Sequence, residues 1–84
     1  MNRRRLLRRL RQGHLANVRF AAFVDLAAAF GFDERRVSGS HHILVHAATN
    51  AMLDLQPDHG EAKPYQVREF LALVDRYHLQ MEDE

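Results

Sequence analysis

Phe32 to Gln56 reads FDERRVSGSHHILVHAATNAMLDLQ, and the spacing of its apolar residues decides the fold. Phe32 to Val37 predicts a short strand, and Ile43, Leu44 and Val45 supply the β-branched, apolar character of a second strand beyond Gly39-Ser40. A glycine at the first central position suits a two-residue hairpin turn. Met52 to Gln56 predicts a third strand, with Leu53 and Leu55 on one face, Asp54 on the other, and Ala47 to Asn50 as the connection. The hairpin tip carries His41 and His42. Imidazole has an ordinary pKa of about 6.5, so a histidine at a turn is suited to proton transfer near neutrality. Turns also hold polar residues for conformational reasons alone, and a solvated turn is the alternative. Adjacent strand residues point to opposite faces, which predicts that His41 and His42 do not both address one phosphate.

Outward from this hairpin, the chain reads as helical on both sides. Asn17 is placed to cap a helix over residues 18–30, in which Phe23, Leu26, Ala27 and Phe30 share a face and Gly31 stops the chain. Residues 2–12 carry Leu6, Leu7 and Leu10 at helical spacing among arginines, with Gly13 as the stop. That segment is a basic extension over residues 1–16, leaving 17–84 as the principal domain. Pro57-Asp58-His59-Gly60 breaks the third strand. Lys63-Pro64 opens a last helix whose Val67, Phe70, Leu71, Val74 and Tyr77 form the buried stripe, and the tail Glu82-Asp83-Glu84 is expected to fray. The order predicts an α+β domain of the double-stranded-RNA-binding-domain type, α-β-β-β-α. Its antiparallel three-stranded sheet carries two helices on one face and the basic N-terminal helix in front.

Composition narrows the functional classes. An 84-residue chain makes one small domain that buries only about 60% of its unfolded surface, which disfavours a deep enclosed pocket and suits a polymeric substrate. There is no cysteine, hence no disulfide, thiolate nucleophile or cysteine zinc site, and a cytoplasmic location is expected. No apolar run approaches membrane-spanning length, and no signal-like stretch follows the N-terminal arginines before Arg19. The net charge of +1 conceals an asymmetry. Residues 1–36 hold nine arginines against three acids, whereas residues 37–84 hold Lys63, Arg68 and Arg76 against eight acids. A basic half facing outward attracts phosphate.

Gly39-Ser40-His41-His42-Ile43, then Leu55-Gln56-Pro57, then Ala62-Lys63-Pro64-Tyr65-Gln66-Val67-Arg68 resemble the HicA family of bacterial toxins. The likeness runs from about Val18 to Leu79, including the Gly31-Phe32 junction and the approach from Arg36 to His41. The resemblance implies a toxin of a type II toxin-antitoxin system: an endoribonuclease that cleaves mRNA and is neutralised by a HicB-like antitoxin. It implies that His41, directly after Gly-Ser, is the catalytic histidine. Where the family usually has an aromatic residue three positions later, this chain has Leu44, and no proline follows His46.

RNA is cut without metal when a base takes the 2′-hydroxyl proton, the oxygen attacks the adjacent phosphorus and the 5′ oxygen leaves. A positioned histidine contributes about 10² to 10⁴ in rate to such a step. His41 is the expected acid or base, and His42 its packed neighbour. Gly39 and Ser40 shape the turn, and Ser40 is placed to position His41 or a phosphate oxygen. Lys63, at a helix start, is suited to charge building on the phosphorane. Arg35, Arg36 and Arg68 are the candidates for RNA backbone contacts. No cofactor or metal is expected, since His41, His46 and His59 lack a recognised ligand spacing; His14 and His78 read as solvated or capping. Two other readings stand beside the enzyme: a noncatalytic RNA-binding module, and a membrane-surface or scaffold protein using its arginine helix.

Overall fold

The computed structural model describes residues 2–82. Its elements run α1 (Arg3–Arg11), α2 (Phe20–Ala29), β1 (Phe32–Ser38), β2 (His41–His46), β3 (Met52–Leu55) and α3 (Pro64–Arg76). The strands form one antiparallel sheet in the order β1-β2-β3. This is the expected α+β arrangement, preceded by the basic helix.

The strand pattern sets the two faces of the sheet. Leu44 lies opposite Leu53 and His42 opposite Leu55, whereas Ile43 pairs with Asp54 and Val45 with Met52. Leu44, Leu53 and Leu55 therefore enter the core, with Phe23 and Leu26 of α2 and Val67, Phe70 and Val74 of α3 above them. Phe70 sits at the centre, its ring 5.4 Å from Phe23, 5.5 Å from Phe30 and 6.1 Å from Phe32. Edge-to-face aromatic packing of this kind adds to the area term. The opposite face, with Ile43, Val45 and a largely exposed Met52, is left open.

Four local expectations are corrected. Asn17 is not a helix cap: it takes φ 60°, and α2 begins only at Phe20, with Arg19 at the cap position. Residues 18 and 19 pair instead with the loop before α3, as the Ala62 amide donates to the Val18 carbonyl at 2.8 Å and Phe20 N–H to that of Gly60 at 2.9 Å. The first orphan amide of α2 thus finds a backbone partner rather than a side-chain cap. Tyr77 does not join the buried stripe; it is 41% exposed, with the Arg76 guanidinium 6.0 Å from its ring. β3 stops at Leu55 rather than Gln56. The tail is held at Glu82, whose amide donates to the Ala29 carbonyl at 2.6 Å, while Asp83 and Glu84 lie outside the described residues.

The arginine helix packs on the domain. Asn2 caps it, its side-chain oxygen accepting from Arg4 N–H and Arg5 N–H. Leu6 and Leu10 are 5% and 2% exposed and belong to the common core, so the leucine stripe is not presented to a lipid surface. Paired ion contacts fasten both ends: Arg3 to Asp25 of α2 at 2.8 and 3.0 Å, and Arg11 to Asp75 of α3 at 2.8 and 3.0 Å. The guanidinium hydrogen bonds hold both carboxyls below the usual carboxylate range. No helix among the described residues is long and apolar enough to cross a membrane.

Candidate active site

The turn that presents His41 is built by Gly39. It takes φ 61° while Ser40 stays outside the positive-φ region, the pattern of a type II′ turn, and Ser38 pairs with His41 to close the hairpin. A Cβ on Gly39 would meet nothing within 4 Å, so the requirement is conformational.

The two histidines separate as the pleat demands. His41 Nδ1 lies 2.9 Å from Asp54 Oδ1 on the adjoining strand, with the imidazole about half exposed. An ionised carboxylate only accepts, so in this contact Nδ1 is the donor and Nε2 takes no part in it. His42 turns to the helix side, where its ring lies 4.9 Å from that of Phe20 and its Nδ1 2.9 Å from Glu34 Oε2. That packing makes His42 a fixed neighbour.

Behind His41 runs a chain of polar side chains. Gln56 Nε2 donates to Ser40 Oγ at 2.7 Å, and Lys63 Nζ reaches Gln56 Oε1 at 3.5 Å. Ser40 thus bridges to β3 through Gln56 and brings the Lys63 ammonium into relation with the turn. Gln66, only 2% exposed, is the buried polar anchor. It accepts from Gln56 N–H at 3.3 Å and donates to the Asp54 carbonyl at 3.4 Å and to Tyr65 Oη at 3.3 Å. Satisfying this amide ties the start of α3 to the end of β3. An open cavity of about 540 Å³ lies between β3 and α3, with His41, Asp54, Gln56, Tyr65, Gln66 and Glu69 on its walls.

The other sequence candidates divide. Arg36 pairs with Ile43 and so shares the open face with His41, whereas Arg35 is the extra residue of a β-bulge between Glu34 and Arg36. Arg68 lies on another side of α3, against α1 and the α1–α2 connection, and does not line the His41 cavity. Leu44 is 1% exposed in the core, so an aromatic at that position would pack there rather than stack on a base. Among the described residues no three His, Asp or Glu side chains gather as a metal site. His46 Nδ1 accepts from Ala48 N–H and Thr49 N–H, and His59 pairs with Asp58.

A helix-backed three-stranded sheet, a Gly-Ser-His turn and an open cavity of mixed polar and apolar lining beside β3 define a small α+β domain with His41 at that cavity. The family model described as the HicA toxin of bacterial toxin-antitoxin matches residues 21–75, more than half of the chain, and the chain belongs to that family. It is a toxin of the toxin-antitoxin type. The comparisons with curated proteins and with solved structures give no match.

Proposed function

We propose that this toxin is an endoribonuclease that cleaves mRNA without metal, using His41, and that a HicB-like antitoxin holds it silent in the bacterial cytoplasm. The observation that carries the reading is the His41–Asp54 contact at the cavity mouth, which leaves Nε2 as the exchanging nitrogen. In the proposed step the ribose 2′-hydroxyl gives its proton to His41 Nε2 and its oxygen bonds to the adjacent phosphorus. The bond from phosphorus to the 5′ oxygen then breaks, and that oxygen takes a proton from solvent. The products are a 2′,3′-cyclic phosphate and a 5′-hydroxyl. Asp54 orients the imidazole, as a carboxylate does for a catalytic histidine elsewhere. Lys63, steered by Gln56, offsets charge on the phosphorane, while Gly39 and Ser40 set the turn and Arg35 and Arg36 hold the RNA backbone. The principal domain is residues 17–84, with residues 1–16 as an appended helix that packs on it.

Expression in bacteria tests the reading. Wild-type protein is expected to arrest growth with loss of transcripts, His41→Ala is not, and coexpression of a HicB-like partner is expected to restore growth. Equal behaviour of wild type and His41→Ala would leave only RNA binding. Cleavage by purified protein is expected to persist in EDTA, and its loss there would overturn the metal-free step.

A further inference from the structure

A second cationic surface lies away from His41, built largely by residues outside the family match. Two hollows of about 240 and 480 Å³ share Arg9, His14 and Asn17. The first extends to Arg19 and the second to Pro64 and Arg68, so the two adjoin along Arg9, His14 and Asn17 between the end of α1, the α1–α2 connection and the start of α3, and together form the groove. Arg9, Arg19 and Arg68 have no carboxylate within ion-pair reach among the described residues, whereas the nearby Asp25 and Asp75 are taken by Arg3 and Arg11. Glu61 is paired with Arg19 through the backbone but makes no ion pair with it. Three exposed arginines lining adjoining hollows beside His14, with no carboxylate ion-paired to them among the described residues, suit a run of phosphates.

The groove is also fixed in place. Leu6 and Leu10 are in the core, and the ion pairs at both ends of α1 hold Arg9 over the α1–α2 connection. The chain leaves α1 through Gly13, with His14 N–H bonded back to the Arg9 carbonyl at 3.0 Å, which sets His14 beside Arg9. A preformed cationic surface binds without the cost of ordering it. Pro64 lines the groove and Lys63 reaches toward Gln56 and Ser40. The start of α3 therefore joins the two sites.

We propose that this groove binds the sugar-phosphate backbone of single-stranded RNA, so that a strand cut at His41 continues past Lys63 and the start of α3 onto Arg68, Arg9 and Arg19. The proposal rests on the ribonuclease reading for the identity of the strand. Its test reads binding rather than turnover, so loss of that reading cannot imitate loss of the groove. The probes are 2′-O-methyl RNA strands of about 20 and about 4 nucleotides, which offer no 2′-hydroxyl to attack. An Arg9→Ala, Arg19→Ala, Arg68→Ala triple variant is compared with a charge-matched Arg5→Ala, Arg8→Ala, Arg76→Ala triple and with a lysine triple at positions 9, 19 and 68.

Each lost phosphate contact lowers the dependence of log K on log salt by about 0.7 for a single strand, so the groove triple is expected to lower the slope by about 2 and to weaken the long strand at least tenfold. Binding of the short strand is expected to stay within about twofold, and the lysine triple to recover most of the affinity, because contacts to phosphate read charge more than shape. Equal weakening by both alanine triples would reduce the effect to net charge and overturn the groove. No weakening by the groove triple would overturn it as well. Groove-dependent binding to phosphatidylserine vesicles without RNA binding would replace RNA by a lipid headgroup.

Discussion

Gly31 lies where the end of α2 meets the imidazole of His46: its φ is 98°, and a Cβ there would stand 2.7 Å from His46 Nε2. Left-handed backbone and a clash against a side chain pinned by two amides are both costly, so Gly31→Ala is expected to lower unfolding free energy by about 2 to 3 kcal/mol, read by urea denaturation. Asp54 is exposed and contributes through one oriented imidazole. Asp54→Asn is expected to lower kcat about tenfold to hundredfold, part of the ~10² to 10⁴ that a positioned proton-transfer group supplies, with KM within about twofold and an unchanged thermal midpoint. An unchanged kcat would remove Asp54 from the proposed mechanism. The outward histidine, its serine and Lys63 were legible because each stands in a short motif. Asp54 was not: an acid alternating with leucines on a strand reads as a solvent-facing residue, and only the β2–β3 register brings it to His41. Gln56 and Gln66 were equally silent, since amides reveal their role only through the partners the fold supplies.

At the scale of elements, α3 ends on an unusual residue. His78 takes φ 54° just past the helix, with Leu79 N–H bonded to the Val74 carbonyl at 2.9 Å and His78 N–H to that of Asp75 at 3.4 Å. This is the closing pattern that glycine ordinarily fills. His78→Gly is expected to raise stability by about 0.5 to 1 kcal/mol, and a fall would show that the imidazole makes a contact worth more than the backbone strain. The sheet and helix α3 were legible because apolar periods of two and of three to four residues leave little choice of face. The start of α2 was not, because residues 18 and 19 pair with a loop some forty positions later, and long-range pairing overrides a local cap signal. The bulge at Arg35 was hidden for a similar reason: an inserted residue shows only against its partner strand.

For the whole molecule, the charge asymmetry resolves into two uses of arginine. Arg3 and Arg11 fasten α1 to α2 and α3, whereas Arg9 and Arg19 remain on the groove. The carboxyls of Asp25 and Asp75 are depressed on folding, first by hydrogen bonds from Arg3 and Arg11. Groups of this sign stabilise above the unfolded carboxyl pKa of about 3.9 and lose that contribution as pH falls through the folded value. The thermal-midpoint difference between wild type and Asp25→Asn, Asp75→Asn is therefore expected to be small and present at pH 7, and to shrink as pH is lowered toward 3; a difference independent of pH would show that the pairs act by packing alone. Both proposed sites depend on one proposed reaction at His41. The most direct test incubates purified protein with an RNA oligonucleotide and with the same strand carrying 2′-deoxy sugars, and identifies product ends by mass spectrometry. The expected result is a 2′,3′-cyclic phosphate and a 5′-hydroxyl from RNA alone, absent with His41→Ala; cleavage of the deoxy strand, or 5′-phosphate ends, would contradict the account.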